Sequence, residues 1–266
     1  MQKYYFNFNL RTDIGLVRDN NEDAVAGSPS ALVIADGVGG YPDGERASTY
    51  VVQNVIHAFA QNYDDSINTE KSIEDAVHTA RMLLHEDYSW GNTTMVATII
   101  DNDILHVAHV GDSRGYLFRD SRLIPLTKDQ SVVQQLIDSG QITEEQALYH
   151  PHRNIIEETI HGEMHKPVRI EFSTHKIHEG DLILLCTDGL TDLMIDKDIA
   201  TIINENISKG LQYVNDALIT AAFNIDDDIL VAGKDNTTIA LGEIRELTED
   251  TMLQDTIIHA FYEEKR

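Results

Sequence analysis

The sequence has little cysteine and little proline. Its one cysteine, Cys186, cannot form a disulfide within the chain, so we expect a reducing, cytoplasmic compartment. The five prolines are scattered, and we find no internal repeat, low-complexity tract or flexible linker that would divide the chain. We therefore predict a single domain over residues 1–266, which is long enough to bury a full hydrophobic core.

Basic residues and long apolar runs are also scarce. The chain has 20 Lys and Arg against 45 Asp and Glu, for a formal net charge of −25. Such a surface repels nucleic acid and anionic membranes, so we expect neither as a partner. No stretch approaches the ~18 apolar residues of a membrane span, and the N-terminus does not have the pattern of a signal peptide. We expect a soluble protein that acts as a monomer.

Short apolar runs separated by turn residues predict an α+β protein. The predicted strands are 31–35, 94–100, 104–110, 116–118, 122–125, 168–173, 182–186 and 237–241. Long helices are predicted over about 44–63 and 73–84, the second from apolar residues at helical spacing. The segment 129–162 has a polar, helical pattern, and the last twenty residues are typical of a helix with Thr248 as N-cap. This order favours antiparallel sheets over an alternating parallel-sheet fold.

Four aspartates lie at strand ends and are each followed by glycine, serine or asparagine: Asp36-Gly37, Asp112-Ser113, Asp188-Gly189 and Asp235-Asn236. A strand end presents its side chain from a rigid base. One such pair is most often only a turn, but four of them favour a site. Converging carboxylates repel one another unless cations neutralise them, and hard oxygen ligands select Mg²⁺ or Mn²⁺ over zinc or copper.

Other phosphatase and nucleotide-hydrolysing chemistries do not fit the sequence. A cysteine-based phosphatase needs an arginine six positions after its cysteine, and Asp192 stands there after Cys186. The segment Asp101-Asn102-Asp103 lies between two predicted strands, so we interpret it as a hairpin turn and not as an aspartyl-phosphate nucleophile. The glycine-rich phosphate loop that ends in Gly-Lys-Ser/Thr does not occur, which argues against nucleotide hydrolysis.

From about residue 9 to 244 the chain resembles the protein phosphatase 2C family, the metal-dependent PPM phosphatases, in its compact bacterial form. Seven stretches match in family order: TDIGLVRDNNED (12–23), ADGVGG (35–40) with GERAS (44–48), GNTT (91–94), VGDSRGY (110–116), LTKDQS (126–131), CTDGL (186–190) and DNTT (235–238). The resemblance implies an α+β fold with two stacked antiparallel β-sheets flanked by helices on both sides. Residues 245–266 would form a C-terminal helical extension.

The resemblance also implies a metal site. Asp36 would bridge two core ions, Mn²⁺ or Mg²⁺, and serve catalysis. Asp188 and Asp235 would complete the protein ligands of the first ion, and the backbone carbonyl of Gly37 would bind the second. Bacterial members are similar in using Asp112 with Asp188 for a third, weaker ion.

Four further residues have implied roles around these ligands. Arg18 would bind the substrate phosphate and is the second residue assigned to catalysis. Glu22, Asp23 and Asn236 would support the metal ligands from behind, Glu22 through a water molecule. Val38 stands where some family members have a histidine proposed to protonate the leaving group, so the proton donor is left open.

The implied function is a protein-serine/threonine phosphatase whose partners are phosphorylated proteins, the substrates of a serine/threonine kinase. Water activated between the cations would attack phosphorus directly, without a phosphoenzyme. Two alternatives remain open. A catalytically silent relative would bind a phosphorylated partner through the same fold, and loss of a core aspartate would mark it. A non-enzymatic divalent-cation-binding protein would leave Arg18 unexplained.

Overall fold

The structure, a computed structural model, describes residues 2–38, 43–60, 68–87, 89–224, 234–248 and 260–261. The strands are Tyr4–Asp13 (β1), Ala24–Gly27 (β2), Ala31–Ala35 (β3), Asn92–Thr93 (β4), Met95–Asp101 (β5), Ile104–Val110 (β6), Arg114–Arg119 (β7), Arg122–Pro125 (β8), Ile160–His161 (β9), Glu171–Lys176 (β10), Leu182–Cys186 (β11), Thr237–Glu246 (β12) and Ala260–Phe261 (β13). The helices are Gly44–Ala60 (α1), Thr69–Glu86 (α2), Val132–Asp138 (α3), Glu144–Ala147 (α4), Asp188–Thr191 (α5), Asp196–Asn206 (α6) and Leu211–Phe223 (α7). None of these helices combines the length and the apolar composition needed to cross a membrane.

Two antiparallel sheets form the centre of the fold. Sheet A has five strands in the order β1-β12-β11-β7-β8, and sheet B has six in the order β10-β6-β5-β3-β2-β13. The strands β4 and β9 form a separate two-stranded pair. The hairpin β5–β6 pairs Asp101 with Ile104, which confirms the predicted turn between these strands.

The alternation of side chains along β3 shows how the layers are packed. Leu32 and Ile34 belong to the buried cluster between the two sheets, together with Ile183 and Leu185 of β11. Val33 points the opposite way, into a cluster built with α1 and α2. Because successive strand residues face opposite sides, a strand covered on both faces must be apolar throughout.

Sheet A has an equivalent outer face. Leu184 of β11 lies in a third buried cluster with Ile199 and Ile203 of α6 and with Leu218 of α7. The order of layers is therefore helices, sheet B, sheet A, helices. This confirms the predicted α+β fold of two stacked antiparallel sheets flanked by helices on both sides.

Several predicted elements need correction. The segment 129–162 is not one long helical region. It contains the short helices α3 and α4, with turns around them, and the strand β9. The strand predicted at 168–173 lies at Glu171–Lys176, where it pairs with β6. The elements β1, β2, α6 and α7 had no counterpart in the sequence prediction.

The predicted C-terminal helix is also corrected where the structure describes it. Arg245 and Glu246 extend β12, because their backbones pair with Tyr5 and Tyr4 of β1. The two residues Ala260–Phe261 form a strand paired with β2. Residues 249–259 and 262–266 of the predicted helix lie outside the described residues.

We predict that Ile183→Ala lowers the free energy of unfolding by about 2–5 kcal/mol, because it leaves a cavity between the two sheets. Ile183 is fully buried there. Urea denaturation measures the change, and Ile124→Ala is the matched control because Ile124 is 41% exposed on the edge strand β8. Equal losses for the two variants would contradict the packing described here.

Candidate metal centre

The topology brings the four strand-end aspartates to one end of the sandwich. In sheet B, β3 and β6 both pair antiparallel with β5, so they run in the same direction. Asp36 and Asp112, which follow these strands, therefore lie at the same end of the sheet. In sheet A, β11 ends where β12 begins, which places Asp188 beside Asp235. The sheets are stacked so that Asp188, Asp112 and Asp235 all act electrostatically on Asp36.

These carboxylates are in an environment that opposes their charge. Burial raises the pKa of Asp36 and of Asp188 well above the usual range, and repulsion from neighbouring aspartates raises both further. Burial and the nearby Asp129 raise the pKa of Asp112 to about 7. An aspartate kept ionised in such a place is destabilising unless a positive charge compensates it.

The donor atoms suit a hard cation. Asp112 Oδ1 and Asp188 Oδ1 are both buried and have no hydrogen-bond partner within the described part of the chain. Unpaired carboxylate oxygens are the ligands that Mg²⁺ and Mn²⁺ prefer. The described residues contain no group of three or more His, Cys, Asp or Glu side chains closed around one metal position. The carboxylates therefore have suitable chemistry, with unpaired oxygens on Asp112 and Asp188.

Asp235 is paired with Arg18. Its Oδ2 accepts a hydrogen bond from Arg18 Nη2 at 2.8 Å. Two residues with different predicted roles, a metal ligand and a phosphate-binding cation, thus contact each other directly. Both side chains are partly exposed, at 37% for Arg18 and 27% for Asp235, and each keeps further donor or acceptor capacity beside this bond.

The backbone of Asp36 is held by two threonines. Its amide donates to Thr94 Oγ1 at 3.0 Å, and its carbonyl accepts from Thr93 Oγ1 at 2.8 Å. The hydroxyl of Thr94 also lies 2.7 Å from that of Ser113, next to Asp112. These bonds connect the ends of β3 and β6, so the two aspartates are positioned relative to each other.

The glycines that follow Asp36 and Asp188 allow close backbone contacts. A Cβ on Gly37 would lie 2.6 Å from the carbonyl oxygen of Glu22, and one on Gly189 would collide with the carbonyl oxygen of Asn236. The amide of Gly37 donates to Glu22 O at 3.1 Å. Both positions therefore require glycine for packing, in addition to any role of the Gly37 carbonyl as a ligand.

Asn236 connects the loop after β1 to the start of β12. Its Oδ1 accepts from the amide of Glu22 at 2.9 Å, and its Nδ2 donates to the carbonyls of Ile14 and Asn20 at 3.0 and 2.9 Å. Asn236 is only 4% exposed. It thus supports the site through the backbone of the segment that carries Arg18.

Asp23 and Glu22 lie near the cluster and interact with its members electrostatically. Asp23 Oδ2 accepts from Thr187 Oγ1 at 3.0 Å, and burial raises the pKa of Asp23 to about 7. Burial also raises the pKa of Glu22, while Arg18 opposes that shift. Asp23 therefore adds a further carboxylate to the same acidic region.

Sequence analysis missed three charged residues at this site. Asp192, Arg153 and Lys234 line a small cavity together with Asp188 and Asp235. Arg153 Nε lies 3.8 Å from Asp192 Oδ2. Asp192 follows Asp188 at helical i, i+4 spacing, a signal that the sequence contained, whereas nothing local in the sequence places Arg153 there.

Comparison with known proteins agrees with this geometry. Residues 17–217 match the family model for protein phosphatase 2C. The chain is 35% identical over 242 residues to the serine/threonine protein phosphatase PstP of Mycobacterium tuberculosis, covering 88% of this chain but only 44% of PstP. It is 32% identical over 249 residues to the protein phosphatase PhpP of Streptococcus pneumoniae, covering 89% of this chain and 97% of PhpP.

A solved structure extends the comparison to the fold. The catalytic domain of PstP in complex with two manganese ions matches this chain with a TM-score of 0.77 at 28% identity, covering 91% of this chain and 99% of that domain. The layers of the fold and the family match over most of the chain thus agree with the seven sequence stretches. The chain belongs to the protein phosphatase 2C family.

Proposed function

We propose that this protein is a metal-dependent phosphatase that hydrolyses phosphoserine and phosphothreonine in other proteins. The observation that carries the proposal is the convergence of Asp36, Asp112, Asp188 and Asp235 with Arg18 among them. Two relatives support it by name, the serine/threonine protein phosphatase PstP and the protein phosphatase PhpP. The PstP catalytic domain binds two manganese ions in its crystal structure.

We assign the ions to the carboxylates of Asp36, Asp188 and Asp235, with the carbonyl of Gly37 as a further ligand. Asp112, together with Asp188, is the ligand we assign to a third ion. The unpaired oxygens of Asp112 and Asp188 support this assignment. When bound, a pair of Mn²⁺ or Mg²⁺ ions lowers the pKa of a water and stabilises the entering and leaving oxygens of an in-line displacement.

Arg18 is the residue we assign to the substrate phosphate. A guanidinium can donate to two phosphate oxygens at once and stays charged at any working pH. Its hydrogen bond to Asp235 keeps it at the carboxylate cluster, and Asp235 together with Glu22 and Asp188 raises its pKa. Arg18 thus provides a positive charge where an acidic protein must admit an anion.

The silent alternative has less support. A silent relative is expected to have lost a core aspartate, and Asp36, Asp188 and Asp235 are all in place. We further propose that the chain is one catalytic domain, since a single buried cluster joins both sheets. We also propose that it acts as a monomer in the cytoplasm on the substrates of a serine/threonine kinase.

The proposed function is tested by hydrolysis of p-nitrophenyl phosphate and of a phosphothreonine peptide with Mn²⁺, with Mg²⁺ and with excess EDTA. We expect turnover of both substrates with either cation and none with EDTA, and restored turnover when Mn²⁺ is added back. We also expect Mn²⁺ to raise the melting temperature, because it binds the folded state and relieves carboxylate repulsion. Full turnover after dialysis against EDTA would contradict the metal-dependent reaction.

We predict that Arg18→Ala raises KM for the phosphopeptide with little change in Mn²⁺ affinity. The expected loss in kcat/KM corresponds to about 1.5–3 kcal/mol, the scale of a hydrogen bond to a charged group. Arg245→Ala is a matched control, since Arg245 also forms an ion pair, at 2.9 Å to Glu243, and is 46% exposed. An unchanged KM with a collapsed kcat would instead assign Arg18 to the transition state.

A further inference from the structure

A second space opens next to the carboxylate cluster. A cavity of about 530 Å³ extends from Asp112 and Asp188 into the region beneath α3 and α4. Its volume lies within the range of about 300–1,000 Å³ that is typical of ligand pockets. Because the two aspartates line it, any substrate bound at the carboxylates has direct access to it.

One part of the wall of this cavity is apolar, whereas the rest carries charged side chains such as Arg114, Lys128 and Glu171. The apolar part includes Val133 and Ile137 of α3, Ala147 of α4, the adjacent Leu148, and Phe172 of β10. All except Val133 are half-buried, so each presents part of its surface to the cavity. Such a wall favours an apolar side chain, because burial removes apolar surface from water.

One buried polar group within the cavity has no side-chain partner. His109 lines the cavity and is 2% exposed, and its ring lies near the backbone of Gly111 and Ser113 without a hydrogen bond of good geometry among the described residues. It follows Val107 on β6 with an interval of two, so both side chains lie on the face of the strand that lines the cavity. Buried polar side chains are nearly always hydrogen-bonded, so this ring has hydrogen-bonding capacity left for a polar group of a ligand in the cavity.

We propose that this cavity is the subsite for an apolar residue next to the phosphorylated residue of the substrate polypeptide. The inference rests on the proposed function, since the phosphorylated residue must occupy the carboxylate end. The apolar wall receives the neighbouring side chain, and the His109 ring hydrogen-bonds to the substrate backbone. A peptide residue combines an apolar side chain with polar backbone groups, which matches both features of the cavity.

The test compares phosphothreonine peptides that differ in one flanking residue. Leu and Ser are placed in turn at each of the three positions on either side of the phosphothreonine, and kcat/KM is measured with Mn²⁺. We expect the Leu peptide to exceed its Ser counterpart by about 10-fold or more at one position at least, the scale set by burying a few methylene groups. Hydrolysis of p-nitrophenyl phosphate is measured in parallel.

Two tryptophan variants locate the preference. Ala147→Trp fills part of the cavity, and we expect it to reduce the Leu-to-Ser ratio to within about twofold of unity. Ala58→Trp, on the exposed face of α1, is the matched control and keeps the wild-type ratio. Where Ala147→Trp does not fold, Leu148→Ala replaces it, with a reduced ratio expected because part of the apolar wall is removed.

The outcomes separate the inference from the proposed function. Loss of p-nitrophenyl phosphate and peptide hydrolysis in the wild type would overturn the proposed function and this inference with it. Equal kcat/KM for all Leu and Ser peptides, with p-nitrophenyl phosphate still hydrolysed, would overturn the inference alone. A wild-type ratio in folded Ala147→Trp, or a ratio lost equally in Ala58→Trp, would also overturn it.

Discussion

The burial of several carboxylates together at the shared end of the two sheets is the constraint on which this structure depends. Asp36, Asp112 and Asp188 each have a raised pKa, with burial as the largest cause. In water such groups would separate and be solvated. Here the ends of packed strands hold them together, so ionised carboxylates at this site destabilise the folded sandwich. A bound cation removes this destabilisation, which links metal binding to folding.

Most of the residues near the site serve to hold backbone in place. The hydroxyls of Thr93 and Thr94 bind the backbone of Asp36, and Asn236 binds three backbone groups of the segment that carries Arg18. This division suits a metal site, because Asp112 Oδ1 and Asp188 Oδ1 remain free of donors among the described residues. Gly189 cannot carry a side chain, because a Cβ there would collide with the carbonyl oxygen of Asn236, directly before β12.

The sequence predicted the fold best where local pattern and tertiary packing agree. The runs 31–35 and 182–186 are continuous apolar stretches, and both are strands covered on two faces. β1 was missed although its alternation of buried residues, including Tyr4, Phe6 and Leu10, with polar ones is the pattern of a half-buried strand. The four aspartates and Arg18 could be named from motifs. Their contacts could not, since Arg18 and Asp235 are 217 positions apart and meet only because β1 and β12 pair in sheet A, with Asp13 opposite Thr237.

The most direct test of this account is the free energy of unfolding of Asp36→Asn and of the wild type, measured by urea at pH 8 with EDTA and with saturating Mn²⁺. We predict that the variant is the more stable protein in EDTA, because one buried negative charge is removed. In Mn²⁺ the order should reverse, since binding at 100 times Kd stabilises the wild type by about 2.7 kcal/mol. A wild type that is more stable than Asp36→Asn in EDTA, or that gains no stability from Mn²⁺, would contradict the claim that these carboxylates destabilise the fold until a cation binds.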